Sequence, residues 1–208
     1  MNTEQLDHRS GKDDVDYYIR TFSGQKLYWS KLEDHTYSIV DIAHALALRV
    51  RWSGHVRYFY SIAQHSVLVS YLVEPEYQLA ALLHDASEAY IADIPSPLKW
   101  YMAQQGNSLL KDLEEKIDCA IAYQFNFQFP RHPSIKQADI TLLATENRDL
   151  MPEGEERLRM QEPMAEHICA WDWRRAETLF LQRYNQIMGN KYGKGHYIGL
   201  DRVQQHAR

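Results

Sequence analysis

From Ile39 to Gly189 the apolar residues of this chain return every three or four positions. That is the period of a helix face, not of a strand. Ile39, Ile42, Ala43 and Leu46 predict a helix over about 39–50. Ser61 with Gln64 three residues on has the form of a capping box, opening a helix over about 62–73. Pro75 suits the first turn of a helix over about 75–91. Pro95 and Pro97 then break the chain, and Ser96-Pro97 starts a short helix to about Gln104. Leu109, Leu113, Ile117 and Ile121 mark a further helix after Ser108. Ser134 and Gln137 repeat the capping-box pattern and open a helix to about Met151. The stretch 152–170 reads as irregular, with Glu153-Gly154-Glu155-Glu156-Arg157 as a solvated loop. Asp172 caps a last helix that Gly189 ends. One strand signal stands apart: Tyr17–Phe22 and Gln25–Trp29 flank Ser23-Gly24, a β-hairpin pattern. The expectation is an all-α single domain, a helical bundle with a short N-terminal hairpin. Its bounds are 16–189, between a frayed stretch 1–15 and a polar tail 190–208.

Composition narrows the partners. At 208 residues and 45% hydrophobic content the chain can bury one sizeable core. A formal charge of -5 opposes broad attachment to duplex nucleic acid. No apolar run approaches the ~20 residues of a membrane span. The start lacks the basic-then-apolar layout of a leader, which predicts a cytoplasmic protein. Cys119 and Cys169 give no disulfide framework and read as small buried apolar residues.

Chemistry concentrates around His84-Asp85, late in the apolar run Leu79–Leu83. Consecutive residues lie about 100° apart on a helix, so both reach one ion only if it sits beside the helix between them. His65 shares a helix face with Ile62 and Val69 and points inward; Asp139 lies between Ile135 and Leu142 on another inward face. An inward carboxylate needs a cation or several donors. Two imidazoles and two carboxylates from separate helices suit Mn, Fe, Co or Zn. A cation so held, with open positions, generates hydroxide near neutral pH and polarises a phosphoryl oxygen. Glu88 follows Asp85 by three residues and shares its face, placed to orient water. Asp93, at the helix exit, is a second candidate for that proton. Lys99 and Lys136 are candidate phosphate cations, as is Arg51 just before Trp52. His55, with Arg57, is a candidate at the phosphate border, whereas His44 reads as structural. His132, His167, His196 and His206 have no metal spacing.

The run His84-Asp85-Ala86-Ser87-Glu88-Ala89-Tyr90-Ile91-Ala92-Asp93-Ile94-Pro95-Ser96-Pro97-Leu98-Lys99, with Gln64-His65-Ser66-Val67 before it and Lys136-Gln137-Ala138-Asp139 after it, resembles the HD-domain phosphohydrolases. Within them it is most similar to the YfbR-type 5′-deoxynucleotidases and the DatZ-type phage deoxynucleotide triphosphohydrolases. The resemblance spans about 39–152. It implies a divalent transition metal (Co2+, Mn2+, Zn2+ or Fe2+) on His65, His84, Asp85 and Asp139, catalysis by Glu88 and Asp93, and an Arg51-Trp52 pair beside the nucleotide. It implies hydrolysis of a deoxynucleoside monophosphate first, release of triphosphate from a deoxynucleoside triphosphate as the rival, and a homo-oligomer. A non-catalytic nucleotide sensor is the alternative from another class.

Overall fold

The computed structural model describes residues 17–152 and 161–192. The expectations for 1–15, for Glu153–Arg157, and for His196 and His206 lie outside the described residues.

The hairpin forms as its turn chemistry requires. Strands β1 (Tyr18–Arg20) and β2 (Lys26–Tyr28) pair antiparallel with Ile19 opposite Leu27. Gly24 takes φ 87°, a value that L side chains rarely adopt. The turn is also anchored: Ser23 donates its backbone N–H and its hydroxyl to the two oxygens of buried Asp41, at 2.6 and 2.7 Å.

Eight helices follow among the described residues: α1 (Ile39–Leu48), α2 (Ile62–Tyr71), α3 (Gln78–Leu82), α4 (Glu88–Ile91), α5 (Ser96–Gln104), α6 (Leu109–Phe125), α7 (Pro133–Leu150) and α8 (Trp173–Tyr192). The all-α class with one hairpin is what the periodicity predicts. The core runs from Leu27 on the hairpin through α1, α2, α3 and α6 to Ala176, Phe180, Leu181, Tyr184 and Ile187 on α8. Those five α8 positions recur at helical spacing, and α8 packs across α1, α2 and α3. No helix of the described residues is long and apolar enough to cross a membrane.

Four expectations need correcting. The helix over 75–91 is three pieces: a 3-10 turn at Pro75–Tyr77, then α3, then α4 after a break at Leu83–Ser87. Helix α7 is capped by His132, whose Nδ1 accepts from the Ser134 N–H at 3.3 Å; Pro133 occupies the first helical position, so Ser134 lies inside the helix. Helix α8 passes through Gly189 to Tyr192, because a glycine tolerates helical φ as well as the left-handed value. Both cysteines are exposed: Cys119 faces outward on α6, and Cys169 lies on the irregular segment before α8.

Gln64 also departs from its expected role. The Ser61 hydroxyl caps α2 by accepting from the Gln64 N–H at 3.1 Å. The Gln64 side chain does not close the box. It accepts from the Trp171 N–H at 2.9 Å and donates to the Cys169 carbonyl at 2.8 Å, stitching the segment before α8 to α2. Asp172 then caps α8, accepting from the Arg174 and Arg175 N–H groups.

Candidate metal centre

The break between α3 and α4 makes the site. In an unbroken helix His84 and Asp85 would diverge by about 100°. Here the chain tightens to three-residue bonds, Ala86 N to Leu83 O at 3.2 Å and Glu88 N to Asp85 O at 3.0 Å. The Ala81 carbonyl, at the end of α3, accepts from His84 Nδ1 at 2.7 Å. The result turns both side chains the same way, with His84 Nε2 3.3 Å from Asp85 Oδ1.

His65 arrives from α2 fully buried, and Asp139 from α7. One ligand atom each from His65, His84 and Asp139 lies within 4.8 Å of the others. His65 Nε2 is 3.2 Å from His84 Nε2 and 3.3 Å from Asp139 Oδ1. Asp85 completes the ring less directly, its Oδ2 3.6 Å from His65 Nε2 and also 3.2 Å from Arg51 Nη1. Three of the four residues expected to hold a metal, His65, His84 and Asp139, therefore form one close set, and Asp85 lies beside the two histidines while pairing with Arg51.

The donor chemistry fits a cation. A carbonyl oxygen only accepts, so His84 Nδ1 carries the proton and its Nε2 presents a lone pair. His65 Nδ1 faces Glu146 Oε1 at 2.6 Å, so its Nε2 is aimed at the same point. Two imidazole nitrogens facing each other, each ring oriented by a bond at its far nitrogen, is the arrangement of metal-ligating histidines. Without a cation, protons must do this work. Burial and the Arg51 guanidinium pull the His65 pKa down, and Glu146 and Asp139 more than reverse them, to about 9. Burial drives His84 the other way, below its ordinary value, against the pull of Asp85. Asp139 is held well below the usual carboxylate range despite its burial, through His65, His84 and Lys136.

Around this point stand the other expected residues. Glu88 is buried, and its Oε2 is enclosed without a hydrogen-bond partner. Burial, with Asp85 and Asp93 nearby, pushes its carboxyl well above the ordinary value. Asp93 is raised in the same way, by burial first, with Arg51 opposing. Lys136 donates to Asp139 at 2.7 Å, and Lys99 pairs with Glu114 at 2.7 Å. His55 is exposed, one residue beyond the 3-10 turn Trp52–Gly54. His44 bonds Glu177 at 3.2 Å and stacks on Phe22 at 3.7 Å, a structural role.

Arg51 and Trp52 converge on a residue the sequence reading missed. Glu146, fully buried on α7, accepts from Arg51 Nε and Trp52 Nε1 on its Oε2, each at 3.2 Å. Its other oxygen holds His65. The signal for it was present: Ile135, Asp139, Leu142 and Glu146 form one inward stripe at spacings of four and three. The turn it holds is strained at Trp52 and Ser53, whose φ values are 57° and 51°, whereas Gly54 takes its 81° freely. For a bulky aromatic such a value costs on the order of 1–3 kcal/mol and persists only where surrounding bonds enforce it.

No protein-family model matches the chain. It is 34% identical over 128 residues to an uncharacterized protein of Rhodobacter capsulatus, covering 57% of this chain and 63% of that one. It is 44% identical over 133 residues to the uncharacterized protein YfdR of Escherichia coli K12, covering 64% of this chain and 72% of that protein. An identity of that level over most of the relative's length places this chain in the YfdR family.

Proposed function

We propose that this protein is a metal-dependent phosphohydrolase of the HD-domain type acting on deoxynucleotides. The observation that carries the reading is the facing pair of imidazole nitrogens, His65 Nε2 and His84 Nε2, 3.2 Å apart and flanked by Asp139 and Asp85. A divalent transition metal bound by these four side chains would supply a Lewis acid for a phosphoryl oxygen and lower the pKa of water. The chain's own residues divide the remaining work. Glu88, with one enclosed and unpartnered carboxylate oxygen, is placed to hold or take a proton at Oε2. Asp93 is the second carboxyl for that task. Arg51 offers a permanent cation for phosphate beside Asp85. Trp52 is a rigid wall that excludes a sugar 2′-hydroxyl and so favours deoxyribonucleotides. An intact, buried Glu88 argues against a mere nucleotide sensor, which has no use for such a carboxyl.

Monophosphate is the first choice of substrate. A triphosphate brings roughly two more negative charges, and the cations expected to meet them are engaged: Lys99 by Glu114 and Lys136 by Asp139. Triphosphate release is the second reading, favoured by the Lys136 side chain, which is 72% exposed and free to swing from its partner.

The test is a metal-by-nucleotide panel read by release of phosphate, pyrophosphate and triphosphate. Turnover is expected to vanish with chelator, to return with Mn2+ or Co2+, and to favour deoxynucleoside monophosphates over ribonucleotides. Release of triphosphate selects the second reading. No release from any nucleotide with any of the metals sinks both.

A further inference from the structure

Glu146 joins two parts of the molecule that have different tasks. Its Oε1 accepts from His65 Nδ1 at 2.6 Å, and its Oε2 accepts from Arg51 Nε and Trp52 Nε1 at 3.2 Å each. The carboxylate is fully buried on α7, two turns beyond Asp139. The Trp52 turn cannot rest in its left-handed conformation on its own account, since an indole side chain disfavours φ 57°. Its backbone is tied by the Arg51 N–H to the Tyr60 carbonyl at 3.0 Å and by the His55 N–H to the Trp52 carbonyl at 2.9 Å. Its indole is held by Glu146.

We propose that Glu146 is a positioning residue that couples the metal ligand His65 to the Arg51–Trp52 turn, so that metal affinity and selection of the sugar depend on one carboxylate. The sugar arm of this proposal rests on the deoxynucleotide reading above; the metal arm does not.

The chemistry of an amide shows why a carboxylate is required. A glutamine at this position has one accepting oxygen and one donating nitrogen. If its oxygen serves Arg51 and Trp52, its NH2 meets His65 Nδ1–H, donor against donor. His65 must then lose that bond or move its proton to Nε2, the atom that faces His84 and Asp139. If the oxygen serves His65, the indole and guanidinium lose their acceptor. E146Q therefore satisfies one arm or the other, never both.

The experiment uses the full chain and Zn2+ as the probe. In the parent, the Trp52 indole N–H resonance, identified by its loss in W52F, is expected to shift when Zn2+ binds. In E146Q, zinc affinity is expected to fall about 10- to 100-fold, the scale of orienting partners of metal ligands. Its ratio of deoxyribonucleotide to ribonucleotide kcat/KM is expected to narrow about tenfold, the scale of one hydrogen bond to a charged acceptor. W52F is expected to narrow the same ratio while binding zinc as the parent does. If E146Q fails to fold, the parent resonance and W52F decide. A Trp52 resonance that ignores zinc, or a folded E146Q with parental zinc affinity, overturns the coupling. A parent inactive on every nucleotide overturns the deoxynucleotide reading alone, since the zinc affinity and the indole resonance still read the coupling.

Discussion

Glu88 shows how much a single enclosed oxygen can say. A buried carboxylate oxygen with no hydrogen-bond partner is costly, by about 1–3 kcal/mol or more for a charged group. Burial, then Asp85 and Asp93, favour its protonated form, which is what the proposed role in proton transfer requires. Glu88→Gln keeps the shape and removes the titratable proton. It is expected to retain bound metal and lose about 100- to 10,000-fold in turnover. Metal stoichiometry and steady-state rates on the same sample check this; parental turnover would make Glu88 structural and Asp93 the leading candidate. The candidate ligands were legible at this scale because His65, His84, Asp85 and Asp139 are residue types of specific bonding chemistry within apolar stretches. Glu146 was not, although it shares the stripe with Asp139. A glutamate beside Asn147 and Arg148 looks solvated until the fold closes over it.

At the scale of elements, the capping box at α2 was half right. The Ser61 hydroxyl caps the helix from its sequence position alone, because the bond is local. The Gln64 side chain had a longer-range use that no local rule carries, holding the backbone at Cys169 and Trp171. Gln64→Ala is expected to destabilise the protein by about 1–3 kcal/mol, the range for leaving buried polar groups unpaired. It is also expected to speed amide exchange at Trp171 before that of the α8 core. Thermal unfolding and hydrogen exchange measure both; unchanged Trp171 exchange would assign the anchoring elsewhere. The same contrast explains the broken helix at Leu83–Ser87. The apolar period continues through it, so the sequence reads as one helix. At the departure the chain keeps local three-residue bonds and the His84–Ala81 bond, while His84 also faces His65 and Asp85 meets Arg51 across the fold, contacts that no period records.

At the scale of the whole molecule, His65 links folding to pH, alongside the raised carboxyl of Glu88. Its folded pKa, about 9, lies above the ordinary 6.5. The protonated form is therefore favoured by folding, and its contribution is fully present below about pH 6.5 and lost as pH rises to about 9. The metal-free protein is expected to melt at lower temperature at pH 9 than at pH 6. Each 1 kcal/mol corresponds to roughly 2–4 °C for a chain of this size. Zinc binding displaces that proton, so zinc affinity is expected to rise over the same range. Melting curves of chelator-treated protein at both pH values, with and without Zn2+, test the sign. A metal-free protein equally stable at pH 6 and pH 9 would remove His65 as the linked group.

The helical class and the hairpin at Ser23-Gly24 were determined by the sequence alone, and the sequence also singled out His65, His84 and Asp139, which the fold brings together. Each depends on local period, on turn chemistry or on what a side chain can bond. The tertiary structure decided which carboxylate orients His65, what the Gln64 side chain bonds, and how Trp52 is held in a conformation its own backbone disfavours. Those outcomes rest on bonds between residues far apart in the chain, 81 positions in the case of His65 and Glu146. A buried charge is stable only beside the partner that folding brings to it.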